Sequence, residues 1–116
     1  MVVGVLDMAI PKPYVPSDVK GAIEARRPSG CKNPGGAIGG IYKLVVAQKW
    51  KNEGVEAKVL SEALKDVRRL QPNWDVIYIW VLRANYDRIA LYEKSRFIKI
   101  LDKRQDSLVA YARYNT

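Results

Sequence analysis

At 116 residues, with 48% hydrophobic and 28% charged content, the chain has the size and balance of one folded domain, which excludes a disordered segment. Its net charge of +8 points to an anionic partner: nucleic acid, an anionic surface or a phosphorylated cofactor. The absence of any His excludes His-based metal sites and Ser-His or Cys-His nucleophile pairs, and no apolar run approaches the ~20 residues of a membrane span.

Residues 2–10, VVGVLDMAI, alternate loosely and predict a first strand. Pro11, Pro13 and Pro16 end it, since each fixes φ and removes an amide donor. Residues 17–36 are rich in Gly, Pro, Ser and charge and read as one long loop, with a short helical turn near 18–25. Cys31 falls in that loop as a single thiol, so no internal disulfide is expected and a reducing compartment fits. With no secretory pattern at the amino terminus, the expected location is cytoplasmic, with the nucleus as the lesser alternative. Residues 37–47 predict the next strand, Gly39 and Gly40 marking a bulge or bend before Ile41.

Beyond Trp50 the apolar period lengthens from two to about three and a half. Val55, Val59, Leu60, Ala63, Leu64, Val67 and Leu70 trace one stripe, which predicts a helix over 55–70 ended by Pro72 and Asn73. The unbroken β-branched, aliphatic and aromatic run at 77–82 marks a strand over 75–82 covered on both faces. Asn85 suits the exit from that strand, because its side chain can accept from an early amide of a helix over 86–95. Strands near 97–102 and 107–114 complete the order β-loop-β-α-β-α-β-β, with no internal repeat.

The segment 85–97, NYDRIALYEKSRF, resembles the second half of the GNAT superfamily, the acetyl-CoA-dependent N-acetyltransferases. The family's wording is N-x-x-A-x-x-x-Y-x-K-x-G-F. This chain supplies Asn85, Ala90, Tyr92, Lys94 and Phe97, with Arg96 where the family places Gly. A second likeness is the phosphate-binding turn Q/R-x-x-G-x-G/A, matched by 51–56, KNEGVE. Gly54 keeps the first glycine, Glu56 replaces the second, and Lys51 replaces Gln or Arg. Such a turn works because Gly lets the backbone approach a diphosphate, while the free amides and dipole of the next helix face the anion. The plainer reading of Gly54 and Glu56 is a helix start, where an acid in the first turn is favourable.

The resemblance implies an α/β (α+β) fold with a GNAT-like mixed central sheet and a long helix after the family's fourth strand. It covers 39–114 well and 2–10 loosely, within a single domain spanning 1–116. The strand and helices with which the family begins, and which form much of its acceptor wall, are expected to be missing. The implied function is transfer of an acetyl group from acetyl-CoA to an amine (a protein N-terminus, a lysine or a small amine) by direct attack, with no metal. By resemblance Tyr92 is the general acid for the departing thiolate, the alternative being a core aromatic. The amide of Val45 or Val46 would hold the thioester carbonyl, and Asn85 would support the pantetheine arm or the helix start. Lys51, Asn52, Glu53, Gly54, Val55 and Glu56 would cradle the diphosphate. For a general base the residues offer Tyr42, Glu53, Asp7 or a water chain, without a choice among them.

Two other readings stand beside this one. Glu56, Arg96 and the missing start suggest a degenerate GNAT domain that acts as a binding or structural module. Lys12, Lys20, Arg26, Arg27 and Lys32, with Arg68, Arg69 and seven Tyr, suggest a basic nucleic-acid module, but no recognised nucleic-acid motif spacing supports it. A homodimer covering the first strand's open edge is a further expectation.

Overall fold

The computed structural model describes residues 4–46 and 55–116. Along the chain lie β1 (Gly4–Ala9), α1 (Ser17–Arg26), β2 (Ala37–Val46), α2 (Val55–Leu70), β3 (Trp74–Leu82), α3 (Tyr86–Lys94), β4 (Ile98–Lys103) and β5 (Leu108–Tyr114). The strands form one mixed sheet in the order β1-β2-β3-β5-β4, with only β2 and β3 parallel. The fold class is therefore α+β with a mixed central sheet.

Central β3 explains its own hydrophobic run. Ile77, Ile79 and Val81 pack with Leu60, Leu64 and Val67 of α2 and with Tyr92 and Phe97. Val76 and Tyr78 face the other way, against Val19 and Ile23 of α1 and Tyr114. A strand covered on both faces has no reason to alternate. Helix α2 takes the expected bounds, because its apolar stripe meets the sheet through Leu60, Leu64 and Val67.

The structure corrects two expectations. The segment expected to be a loop with one helical turn begins with a ten-residue helix, α1. Its apolar side consists of little more than Val19 and Ile23, one helical turn apart and both fully buried. Tertiary burial, not local periodicity, orders it. The bulge expected at Gly39 and Gly40 lies instead at Tyr42, where the pairing with β1 steps from Asp7↔Lys43 to Met8↔Ile41. The two glycines serve close approach: a Cβ on Gly39 would meet Ile10 Cβ at 3.1 Å, and one on Gly40 would meet Lys12 Cδ at 2.7 Å.

A buried latch fastens α1 to the start of β3. The Arg27 guanidinium pairs with both oxygens of Asp75, a carboxylate only 1% exposed. The Cys31 thiol donates to Asp75 Oδ1 at 3.2 Å, and burial pushes that thiol's pKa up, away from reactivity. Tyr114 donates its hydroxyl proton to the Ile23 carbonyl at 2.6 Å and offers its ring to Arg27, 5.8 Å away.

At the end of α3, Arg96 has φ 69°, the left-handed conformation that accounts for the family's Gly there. Arg96→Gly is expected to raise unfolding free energy by about 1 kcal/mol in urea titration. No gain would mean that neighbouring contacts of the arginine side chain offset the strain.

Candidate functional site

Strands β2 and β3 run paired only from Ala37↔Trp74 to Gly40↔Tyr78. Beyond that point β2 pairs with β1 alone and β3 with β5 alone. The extra residue at Tyr42 bends β2 and strengthens its twist, so the two strands part into a fork. Among the described residues, the edge of β2 that faces this gap has backbone groups without a ladder partner. Val45, half exposed, and Val46 lie on this parted stretch, opposite Val5 and Gly4 of β1.

On one face the fork is roofed by a buried cluster that includes Ile41, Leu44, Ile79, Val81 and Tyr92. Tyr92 is 2% exposed, with its ring centroid 5.4 Å from that of Phe97. Asn85 caps α3, its side-chain oxygen accepting from the Arg88 amide at 3.3 Å. Lys51, Asn52, Glu53 and Gly54 lie outside the described residues, so the turn itself is described only from Val55, the first residue of α2, and Glu56.

Glu56 is not a free charge. Its Oε2 lies 3.1 Å from Arg88 Nη1 of α3's first turn, with both side chains less than a fifth exposed. That nitrogen is buried without satisfying hydrogen-bond geometry, so we take the contact as ionic and not as a directed hydrogen bond. Counted strictly, the family's alanine, three residues after Asn85, falls at Arg88 and not at Ala90. Two departures from the family's wording thus neutralise each other. Strict counting of the motif could have found Arg88; its pairing with Glu56 needed the fold.

The same contact brings the first turns of α2 and α3 together beside Tyr92. Burial pushes the Tyr92 phenol above its ordinary value, opposed by the nearby Arg88 cation and reinforced by Glu56. A phenol kept protonated in a dry cluster is suited to donate a proton. Of the candidate bases, Tyr42 stands exposed at the bulge, Asp7 is exposed on β1, and Glu53 lies outside the described residues. Among the described residues no group of three or more His, Cys, Asp or Glu is arranged to hold a metal.

Away from the fork, a cleft of about 360 Å³ between α2 and the end of α3 collects Lys65, Arg68, Lys94, Arg96 and Arg113. It gathers five of the chain's twenty basic residues.

No protein-family profile matches the chain, and no curated protein sequence matches it. Solved structures do. PH1933 from Pyrococcus horikoshii OT3 is 28% identical with a TM-score of 0.60, covering 69% of this chain and 48% of that one. Arabidopsis thaliana NAA60 in complex with a bisubstrate analogue has a TM-score of 0.68 at 17% identity, covering 97% of this chain and 64% of that one. The same protein in complex with acetyl-CoA gives a TM-score of 0.66 at 17% identity, covering 97% and 66%. An acetyltransferase of the GNAT family from Staphylococcus aureus Mu50 has a TM-score of 0.56 at 18% identity, covering 68% and 52%. The chain spans about half to two thirds of the length of these structures.

Proposed function

We propose, from the premise that this chain has the fold of the GNAT acetyltransferases, that it binds acetyl-CoA at the β2–β3 fork and transfers the acetyl group to an amine. The observation that carries the reading is the ladder that stops at Gly40↔Tyr78, with Tyr92 in the cluster roofing the gap beyond. In this reading the amide of Val45 or Val46 donates to the thioester carbonyl, where it counts most because charge develops there during attack. Tyr92 donates its phenolic proton to the departing thiolate. The turn at 51–56, with Val55 and Glu56 opening α2, receives the diphosphate, and Asn85 holds α3 in place. The acceptor is an amine: a protein N-terminus, a lysine or a small amine. The structural neighbour solved with acetyl-CoA and with a bisubstrate analogue supports this class of reaction.

Acetyl-CoA should raise the melting temperature, because a ligand that binds only the folded state stabilises it by mass action. Arg88→Ala strips Glu56 of its counter-charge. A bare carboxylate about 5 Å from a phosphate, at an effective dielectric near 20, repels it by roughly 3 kcal/mol. Affinity should therefore fall about 100-fold. Adding Glu56→Gly to Arg88→Ala should restore it. A degenerate domain, the reading that Glu56 and Arg96 suggest, would show a weak or absent thermal shift in the wild type, with recovery in Glu56→Gly.

A further inference from the structure

The opposite face of the fork holds a constellation that the reading above leaves unused. The backbone amide of Lys12, just beyond β1, donates to the Ile38 carbonyl at 2.7 Å, which lays the residue across β2. Its ammonium lies 4.9 Å from the ring centroid of Tyr42 and 4.8 Å from that of Tyr78. The aliphatic tail runs over Gly40, where a Cβ would sit 2.7 Å from Lys12 Cδ and 3.4 Å from Nζ. Gly40 and Tyr78 are the last pair before the strands part. Lys12 therefore ends at the crotch of the fork. Tyr78 belongs to the cluster of the α1 face, so the amine stands on the face opposite Tyr92.

Two further features make this position unusual for a loop lysine. No carboxylate pairs with Lys12 among the described residues. What holds its ammonium is the pair of ring faces, an arrangement that also suits any ammonium arriving as a substrate. The hydroxyl of Tyr78 is buried with no hydrogen-bond partner among the described residues, a polar group that requires an explanation.

We propose that Lys12 is an intramolecular acceptor and that the domain acetylates its own Lys12 Nζ. The proposal rests on the acetyl-CoA reading given above. With Tyr92 and the opening turn of α2 on one face, an acceptor amine must reach the thioester from the other, where Lys12 already stands. The ammonium first loses a proton to water, which reaches it past exposed Tyr42. The freed lone pair of Nζ forms the C–N bond to the acetyl carbonyl carbon, and the C–S bond breaks. The acylated nitrogen sheds its second proton to solvent, the CoA thiolate takes the Tyr92 phenolic proton, and solvent returns a proton to the phenol. The product amide is neutral, so it loses the attraction of the two rings. Before the reaction, Lys12 occupies the place that an external amine would need.

The test is a time course of the full chain with isotope-labelled acetyl-CoA, read by peptide mapping in a mass spectrometer at several protein concentrations. Lys12 should gain one acetyl group at a rate independent of protein concentration. That rate should exceed that of exposed Lys65 by at least about 100-fold, since a held amine reacts at a high effective concentration. Lys12→Arg should remove the fast label, and Tyr92→Phe should slow it without changing the label on Lys65. Equal labelling of Lys12 and Lys65, in a protein whose melting temperature acetyl-CoA still raises, overturns this inference and leaves cofactor binding intact. A rate that climbs with protein concentration overturns the intramolecular route. Absence of both the thermal shift and the labelling overturns both readings together.

Discussion

Tyr92→Phe is expected to lower kcat for acetyl transfer by about 10²- to 10⁴-fold, the usual reach of a positioned general acid. The KM for acetyl-CoA should change little, since a phenol that acts on the leaving thiolate contributes mainly in the transition state. Burial keeps the phenol protonated through the neutral range, so its own contribution to the rate should fade only on the alkaline side, above the ordinary tyrosine value of 10. Deprotonation of the acceptor amine raises the rate toward that limit. Tyr92 packs with its ring against Phe97, and phenylalanine preserves that contact. The fold should therefore survive, with at most about 1 kcal/mol lost from the missing hydroxyl. An unchanged kcat in a well-folded variant would reduce Tyr92 to a core aromatic and remove the acid from the scheme. Denaturant titration of the same sample keeps these outcomes apart.

The second large effect is structural. Asp75→Ala should cost about 3–5 kcal/mol of unfolding free energy, because it leaves the Arg27 guanidinium largely buried without its partner. Asp75 pulls the Arg27 pKa upward more than any other neighbour, Glu24 being second, so the loss falls on one contact. Glu24 remains bonded to Arg27 Nη2 at 2.7 Å, but it is mostly solvated and can replace only a small part. Replacing both partners with apolar residues, Asp75→Leu with Arg27→Met, should recover most of the stability, as buried pairs often do. If the single variant lost less than about 1 kcal/mol, water would be reaching the latch and the pair would behave like a surface one.

How legible these features were depends on the range of the forces behind them. Helix α2 could be read to its ends because its apolar stripe repeats over four turns, and β3 because burial on both faces leaves an unbroken run. The Asn85 cap was legible for the same reason: its bond closes within three residues. Helix α1 was not, since Val19 and Ile23 become a helical face only once Tyr78 and Tyr114 supply the surface they cover. The bulge at Tyr42 was assigned to the glycines because glycine is the usual local mark, whereas the register with β1 decides the place. Asp75 read as an ordinary strand residue; its partner lies 48 residues away. Arg88 was overlooked because a motif matched at loose spacing hides the residue that stands in the position itself. The cradle expected at Lys51, Asn52, Glu53 and Gly54 lies outside the described residues.

Strand β3 is held differently at its two ends. Near its beginning the Arg27–Asp75 pair ties it to α1, while past Tyr78 one flank is left unzipped. At about 3.3 Å of rise per residue, positions 75 and 81 stand roughly 20 Å apart, beyond the range at which substitutions ordinarily interfere. Anchorage and the proposed chemistry thus occupy separate regions of a single strand. Such a layout lets the forked end drift in evolution, or be redesigned at the bench, while the far end keeps the molecule folded.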